Sequence, residues 1–301
     1  MLKVPHVIFI ITLLLTLGCK GQLQNPNTFE PTFNSFDYLG DATDDTLLIK
    51  NETHYGILTP LEITEIFNRL SIPYDAKTTN PTSSEKFYLS NAQAAINMGV
   101  YGVDFGYLHM FGFGQDVVNY MFAIKDLSNK LGIPDELILN PINSIENSIT
   151  DADSVTKMMN IAYKNIESHL KRSDRASTAG LIVMGGWIEA MFLSTKLAYD
   201  PNNPDVEVVQ RIAEQKYTLN SLLSFLKNYY NDPVVVFYTK KLKFLKNYFD
   251  QFDIYFDEND LEIDTDKQVL RSSVEKMDIT TETLDGICNY IALLRTEIIS
   301  L

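Results

Sequence analysis

From residue 59 onward, apolar residues recur along the chain with a helical period. They occupy positions i, i+3, i+4 and i+7, which is typical of helices that bury one face and expose the other. The first such helix is predicted after Thr59-Pro60, where Thr is a capping residue and Pro suits the first helical position. Nine further helices are predicted at about 84–110, 115–131, 134–147, 153–171 and 173–197, after Asn203 and after Asp232, and at about 265–276 and 281–299.

Helix boundaries are predicted from capping residues. Ser173 is predicted to cap the helix that ends at Leu197, and Asn203-Pro204 and Asp232-Pro233 each combine a cap with Pro at the first helical position. The β-branched run after Asp232-Pro233 has strand character, but the Lys-rich helical pattern that follows it favours a helix. The acidic stretch 257–264 lacks the central Gly and the ligand order of a calcium loop, so it is predicted to be a solvated linker.

These patterns predict an all-α fold, either a multi-helix bundle or a short helical-repeat array of nine to ten helices. The helical domain is expected to span 59–301. An internal duplication is also predicted, because residues 96–101 (INMGVY) align with residues 182–187 (IVMGGW) at a shift of 86. Six aligned positions between two apolar helices can also arise by chance, so this alternative stays open.

Small residues form a stripe along each of these two helices. Ala95, Gly99, Gly102 and Gly106 share one face of the first helix. Gly costs about 1 kcal/mol relative to Ala within a helix, so the stripe must bring an offsetting gain. Close packing of two helices is the favoured explanation, with the narrow stripe at 186, 190 and 194 as its partner. A ligand cleft against bare backbone is the alternative.

The first residues of the chain predict an export signal. An apolar run from Val7 to Leu17 follows Lys3 and ends at Gly18-Cys19. This segment resembles the lipobox of bacterial lipoproteins, which implies cleavage after residue 18 and lipidation of Cys19. Residues 1–18 are therefore predicted to be a signal peptide and residues 19–58, rich in Asn, Gln, Thr and Pro, a tether. A plain signal peptide with an incidental Cys is the alternative, and a run this short disfavours a membrane-spanning helix.

Composition limits the classes of partner. Hydrophobic residues make up 45% of the 301 residues, which is enough for a sizeable core. The formal net charge of −14 argues against nucleic acid and against direct electrostatic binding to anionic lipid. The membrane is therefore expected as a partner only through the lipid anchor. The oligomeric state is not predicted.

The best candidates for a ligand-binding site lie in the two small-residue helices. Asp104 and Glu189 are carboxylates in apolar surroundings, and burial is costly for such groups unless they are paired. Two facing carboxylates serve acid–base chemistry or bind a cation, whereas a hydrogen-bonded structural pair is the plainer alternative. Tyr101, His109 and Trp187 complete the candidate set.

Other chemistry has little support in the sequence. Zinc, haem, di-metal, nucleophile-elbow and phosphate-loop signatures are absent, so no catalytic residue, metal or cofactor is predicted. If Cys19 is lipidated, Cys288 is the one remaining thiol. Its apolar helical setting predicts a buried, unreactive side chain.

The body of the chain is similar to uncharacterised helical lipoproteins of Bacteroidota-type envelopes, on the basis of the lipobox and the segment MGVYGVD at 98–104. This resemblance implies no known activity. We therefore expect a lipid-anchored envelope protein, facing the periplasm from the outer membrane because no acidic cluster follows Cys19. Its expected role is non-enzymatic, as a binding or scaffold module for an envelope protein or a small ligand. The alternative is an enzyme or cation-binding protein that uses Asp104 and Glu189.

Overall fold

A computed structural model of the protein describes residues 74–75, 77–112, 114–143, 152–256, 261–264, 269–272 and 275–300. All of them belong to one compact unit that spans Thr53–Leu301. The predicted signal peptide (1–18), Cys19, the tether (19–58) and the predicted helix after Thr59 lie outside the described residues.

Helices dominate the described residues, so the predicted all-α, multi-helix architecture is confirmed. A 3-10 helix at Thr82–Phe87 comes first. The α-helices are α1 (Asn91–Met110), α2 (Gly114–Lys130), α3 (Glu136–Asn143), α4 (Ala152–Arg172), α5 (Ala176–Leu197), α6 (Val206–Lys227), α7 (Pro233–Phe249) and α8 (Thr281–Ile299). Four short strands interrupt this order between α7 and α8: β1 (Ile254–Phe256), β2 (Leu261–Asp264), β3 (Val269–Ser272) and β4 (Glu275–Met277).

Several helix starts differ from the predictions. Helix α1 begins at residue 91 rather than 84, because Ser90 and Gln93 form a capping box there. Ser173 does not cap α5, since its hydroxyl donates to the carbonyl of His169 at 2.9 Å and remains with the end of α4. The cap of α6 is Asp205 rather than Asn203, and it accepts the N–H of residue 207 at 2.9 Å.

Other boundaries match the predictions. Asp232 caps α7 by accepting the N–H of Val234 at 2.9 Å, and Pro233 occupies the first turn. The β-branched run that follows is therefore helical, as predicted. Helix α2 ends before Gly132, whose φ of +60° is the left-handed conformation that favours glycine at a helix end.

The predicted helix at 265–276 is wrong, and so is the solvated linker at 257–264 where strand β2 lies. Strand β1 pairs antiparallel with β4, in the register Ile254 opposite Met277. Strand β2 pairs antiparallel with β3, in the register Leu261 opposite Ser272. The alternation Leu261-Glu262-Ile263-Asp264 has the period of two that suits a strand, and pairing with residues 269–272 supplies the backbone hydrogen bonds.

Helices α1 and α5 form the central pair of the described fold. Helix α2 packs on α1, α8 packs on α5, and α4 contacts both members of the pair. Among the described helices, α5 alone has the length and apolar composition of a membrane-crossing helix. A buried core helix has the same composition, and 72% of its apolar window is buried within the protein.

Glycine permits the close crossing of α1 and α5. A Cβ atom at Gly99 would lie 2.0 Å from the carbonyl oxygen of Ile182, and one at Gly185 would lie 2.0 Å from that of Ile96. The 86-residue shift aligns Ile96 with Ile182 and Gly99 with Gly185, so the two contacts are equivalent. The predicted stripe on α5 began at Gly186, but the closest contact of this helix is one residue earlier, at Gly185.

Candidate functional site

Glu189 on α5 forms a buried ion pair with Arg295 on α8, and Asp104 on α1 lies beside it. Both carboxyl groups have 0% exposure. The Arg295 guanidinium donates to Glu189 twice, from Nε to Oε2 at 3.0 Å and from Nη2 to Oε1 at 3.1 Å. The same Nη2 also donates to the carbonyl of Thr78 at 2.9 Å, and the guanidinium lies 4.6 Å from the ring centre of Phe192. This bidentate geometry stabilises Glu189 as a charged carboxylate.

Asp104 is held differently from Glu189. Its Oδ2 accepts the backbone N–H of Asn80 at 2.9 Å, while its buried Oδ1 receives no hydrogen from another described group. The carboxyl group of Glu189 lies close enough to raise the pKa of Asp104.

The two carboxyl groups differ in what opposes the effect of burial on their pKa. Burial raises the pKa of Asp104 well above its usual range, and the negative charge of Glu189 raises it further. Burial also raises the pKa of Glu189, but Arg295 opposes that rise through its charge and its hydrogen bonds. Of the two carboxyl groups, Asp104 is therefore the one whose surroundings favour the protonated form, whereas Glu189 pairs with the Arg295 guanidinium.

The segment 78–81 covers this cluster. Thr78, Thr79 and Asn80 are buried, and tyrosines hold their backbone. The hydroxyl of Tyr120 donates to the carbonyl of Asn80 at 2.8 Å, and that of Tyr101 donates to the carbonyl of Pro81 at 2.8 Å. The space beside the two carboxyl groups is therefore filled by the protein's own chain.

A separate cavity lies between α1, α2, α3, α4 and α5. Its volume is about 220 Å³. Neither Asp104 nor Glu189 contributes to its wall, and no described wall residue is charged. The wall is formed by Met98, Gly99, Gly102, Val103, Phe105, Met121, Ile124, Ile138, Met158, Met159, Asn160, Ala162, Tyr163, Ile166, Ile182, Val183, Gly186 and Trp187.

Trp187 connects the sequence prediction with this cavity. Its indole is 0% exposed, and Nε1–H has no hydrogen-bond acceptor among the described residues. An unpaired buried N–H costs about 1–3 kcal/mol of desolvation free energy. Of the polar residues in the wall, Asn160 is exposed and Tyr163 is half-buried, both on α4.

The predicted candidate residues thus divide among three places. Tyr101, Asp104 and Glu189 belong to the polar cluster and the segment that covers it, and Trp187 lines the cavity. His109 is half-buried in the last turn of α1. Five residues beyond Asp104, it lies about 140° around the helix axis from that residue. Cys19 lies outside the described residues.

Sequence reasoning missed Arg295, Thr78 and Asn80. A signal for Arg295 was present, because it shares the apolar stripe of α8 with Ile291, Leu294 and Ile298. A charged residue on a buried stripe needs an opposite charge. Asn80 and Thr78 carry no comparable signal, since Asn80 uses its backbone N–H and Thr78 its carbonyl in these contacts.

Other reactive groups in the described residues do not form a site. No group of three or more His, Cys, Asp or Glu side chains within this part of the chain could hold a metal ion. Burial, together with the charge of Asp285, raises the pKa of Cys288 to about 12. That thiol therefore stays protonated and unreactive near neutral pH.

Comparison of the chain with family models, with curated proteins and with solved structures gives no match.

Proposed function

We propose that this protein is a lipid-anchored envelope protein that binds a small apolar molecule without changing it chemically. The apolar cavity is the observation that carries the binding part of this proposal. The lipobox-like segment that ends at Cys19 supports the lipid anchor and the envelope location. The proposal is the small-ligand form of the binding module expected from the sequence.

The size and wall of the cavity support binding. An engineered apolar cavity of about 150 Å³ stays dry and takes up benzene or xenon. The cavity here has a volume of about 220 Å³. Met98, Met121, Met158 and Met159 contribute flexible, polarisable side chains that adapt to ligands of different shape.

The alternative, an enzyme or cation-binding site at Asp104 and Glu189, has weaker support. Substrate or cation would need access to two carboxyl groups that are 0% exposed. Arg295 already neutralises the charge of Glu189, and segment 78–81 fills the adjacent space. These contacts favour a structural role that joins α1, α5 and α8.

The single tryptophan of the chain offers a direct test, because Trp187 lines the cavity. The protein is prepared as residues 19–301 with Cys19→Ala, so that it carries no acyl group of its own. Bromobenzene, whose bromine quenches indole fluorescence on contact, is titrated against Trp187 emission. We expect saturable quenching, whereas the polar quencher iodide should have little effect.

Gly102 provides a matched pair of variants. A Cβ atom at this position would meet nothing nearer than the Met159 methyl group at 4.0 Å, so Gly102→Ala should leave the cavity open. Gly102→Leu should extend a side chain into the cavity and weaken the quenching by bromobenzene at least tenfold. Equal quenching in the two variants, or no saturable quenching in the parent protein, would refute the cavity as the binding site.

The anchor is tested separately by metabolic labelling with a fatty acid in a bacterial host. The full chain should incorporate label and the Cys19→Ala variant should not. Equal labelling of the two, or no labelling of either, would contradict the lipoprotein assignment.

A further inference from the structure

We propose that the cavity takes one hydrocarbon chain attached to a neutral carbonyl group, as in an acyl ester or amide, and that Trp187 Nε1–H donates to the carbonyl oxygen. This inference rests on the proposed function, because it specifies the ligand of the same cavity. Three properties of the described part of the wall carry it: its length, its lack of charge and its fully buried, unpaired donor, Trp187 Nε1–H.

The length of the cavity suits an extended chain. Along α4 the lining residues run from Met158 to Ile166, which is about 12 Å at 1.5 Å per residue. Along α1 they run from Met98 to Phe105, a distance of about 10 Å by the same measure. A hydrocarbon chain of several carbons can therefore lie along the cavity.

The described part of the cavity wall is uncharged, which disfavours an ionised group inside the cavity. Burying an unpaired carboxylate or ammonium group costs many kcal/mol unless an opposite charge accompanies it. None of the wall residues in the described part of the chain is Asp, Glu, Lys, Arg or His. The nearby charges of Glu189 and Arg295 already satisfy each other. The enclosed part of the ligand must therefore be neutral.

The indole of Trp187 then selects the polar atom of the ligand. Nε1–H donates only, so its partner must be an acceptor such as a carbonyl oxygen. Since the group is 0% exposed and has no acceptor in the described part of the chain, a ligand oxygen would remove its desolvation cost. A hydrocarbon without oxygen would fill the cavity but leave the N–H unpaired.

The first experiment uses the residue 19–301 protein with Cys19→Ala and a series of straight-chain fatty acid methyl esters. Binding is measured by quenching, with bromobenzene displaced by each ester. Each added methylene should raise the affinity about fourfold, which corresponds to about 0.8 kcal/mol per buried CH₂. The gain should stop once the chain exceeds the length of the cavity. An affinity that continues to rise with every carbon indicates binding to an open surface and would overturn the inference.

The second experiment isolates the hydrogen bond. Each methyl ester is paired with a hydrocarbon of equal chain length, and both are measured on the parent protein and on Trp187→Phe. Ligand-induced rises in melting temperature provide the readout, because the variant has no tryptophan. The substitution should reduce the ratio of ester to hydrocarbon affinity roughly two- to tenfold, the worth of one hydrogen bond. An unchanged ratio contradicts the assigned donor.

Free fatty acids test whether the bound carbonyl group must be neutral, as in an ester, or can belong to an ionised acid. An ionised acid should bind more weakly than its methyl ester and should tighten as the pH falls and the acid becomes neutral. Tight binding of the ionised acid at neutral pH would overturn the neutral-ligand inference. Failure of every apolar probe would instead reject the proposed function itself, so the two failures are distinct. The chain-length series needs no substitution at Trp187 and stands even if that variant does not fold.

Discussion

The crossing of α1 and α5 predicts a large effect for one added methyl group. In a Gly185→Ala variant the new Cβ would lie 2.0 Å from the carbonyl oxygen of Ile96, whereas ordinary contact begins at 3.4 Å. The helix backbones must therefore separate by about 1.4 Å, because neither contacting atom belongs to a flexible side chain. A gap of about 0.5–1 Å already removes a quarter to a half of the dispersion attraction between facing atoms.

The magnitude follows from two opposed effects. Overpacking costs about 1–3 kcal/mol, and more where the backbone itself must move. The higher helix propensity of alanine offsets about 1 kcal/mol of this cost. Because the clash is with backbone, we expect the cost to reach at least the upper end of that range. Gly185→Ala should therefore lower the free energy of unfolding by about 2 kcal/mol or more, measured by urea denaturation with far-UV circular dichroism.

The next residue supplies the control. A Cβ at Gly186 would lie 3.5 Å from the Gly99 carbonyl oxygen, an ordinary contact, so Gly186→Ala should be neutral or stabilising by up to about 1 kcal/mol. Gly99→Ala should match Gly185→Ala, because its Cβ would lie 2.0 Å from the carbonyl oxygen of Ile182. The double variant Gly99→Ala/Gly185→Ala should lose less stability than the two single variants together, because one separation of α1 from α5 relieves both clashes. If Gly185→Ala is no worse than Gly186→Ala, the close-crossing argument is wrong.

Three further predictions concern the buried polar cluster and a helix cap. Arg295→Met should lower the free energy of unfolding in urea by about 3–5 kcal/mol, because Glu189 is left buried and unpaired. Adding Glu189→Gln to that variant should recover part of the loss. If the effects of the two substitutions simply add, the pairing is contradicted. Because burial raises the pKa of Asp104, the folded protein keeps a proton that the unfolded chain releases. The bound proton contributes fully to stability below about pH 4, the usual pKa of Asp in the unfolded chain. As the pH rises from there to the raised pKa of the folded state, the free energy of unfolding falls by up to about 1.4 kcal/mol per pH unit. Asp104→Asn should flatten that fall, and an unchanged slope would show that the proton lies elsewhere. Asp232→Ala removes the cap of α7 and should lower the free energy of unfolding in urea by about 1 kcal/mol. An unchanged free energy of unfolding would refute the contribution of this cap.

Local sequence determined most of the helical architecture. Apolar periodicity located the helices, Asp232-Pro233 marked the start of α7, and Gly132 marked the end of α2. Each of these signals depends on residues within a few positions of one another. The small-residue stripe on α1 also indicated close packing, because glycine is costly in a helix unless another backbone approaches it.

The candidate site was only partly predictable. Asp104 and Glu189 attracted notice as carboxyl groups in apolar surroundings, yet their partners come from remote segments. Arg295 is 106 residues from Glu189 in sequence, and Asn80 is 24 residues from Asp104. A single sequence contains no signal that pairs such positions. The pair of strands β2 and β3 was missed for a related reason, since each is too short to be stable without its partner.

Only the tertiary structure decided the position of the cavity. Its wall comes from five helices, and most of its residues are ordinary apolar side chains that a sequence pattern assigns to the core. A cavity is a space that neighbouring side chains fail to fill, so it depends on the relative placement of whole helices rather than on any one residue. For the same reason, the sequence could single out Trp187 as a candidate, but only the packing of α1 and α5 with their neighbours placed it on a cavity and left its N–H without an acceptor.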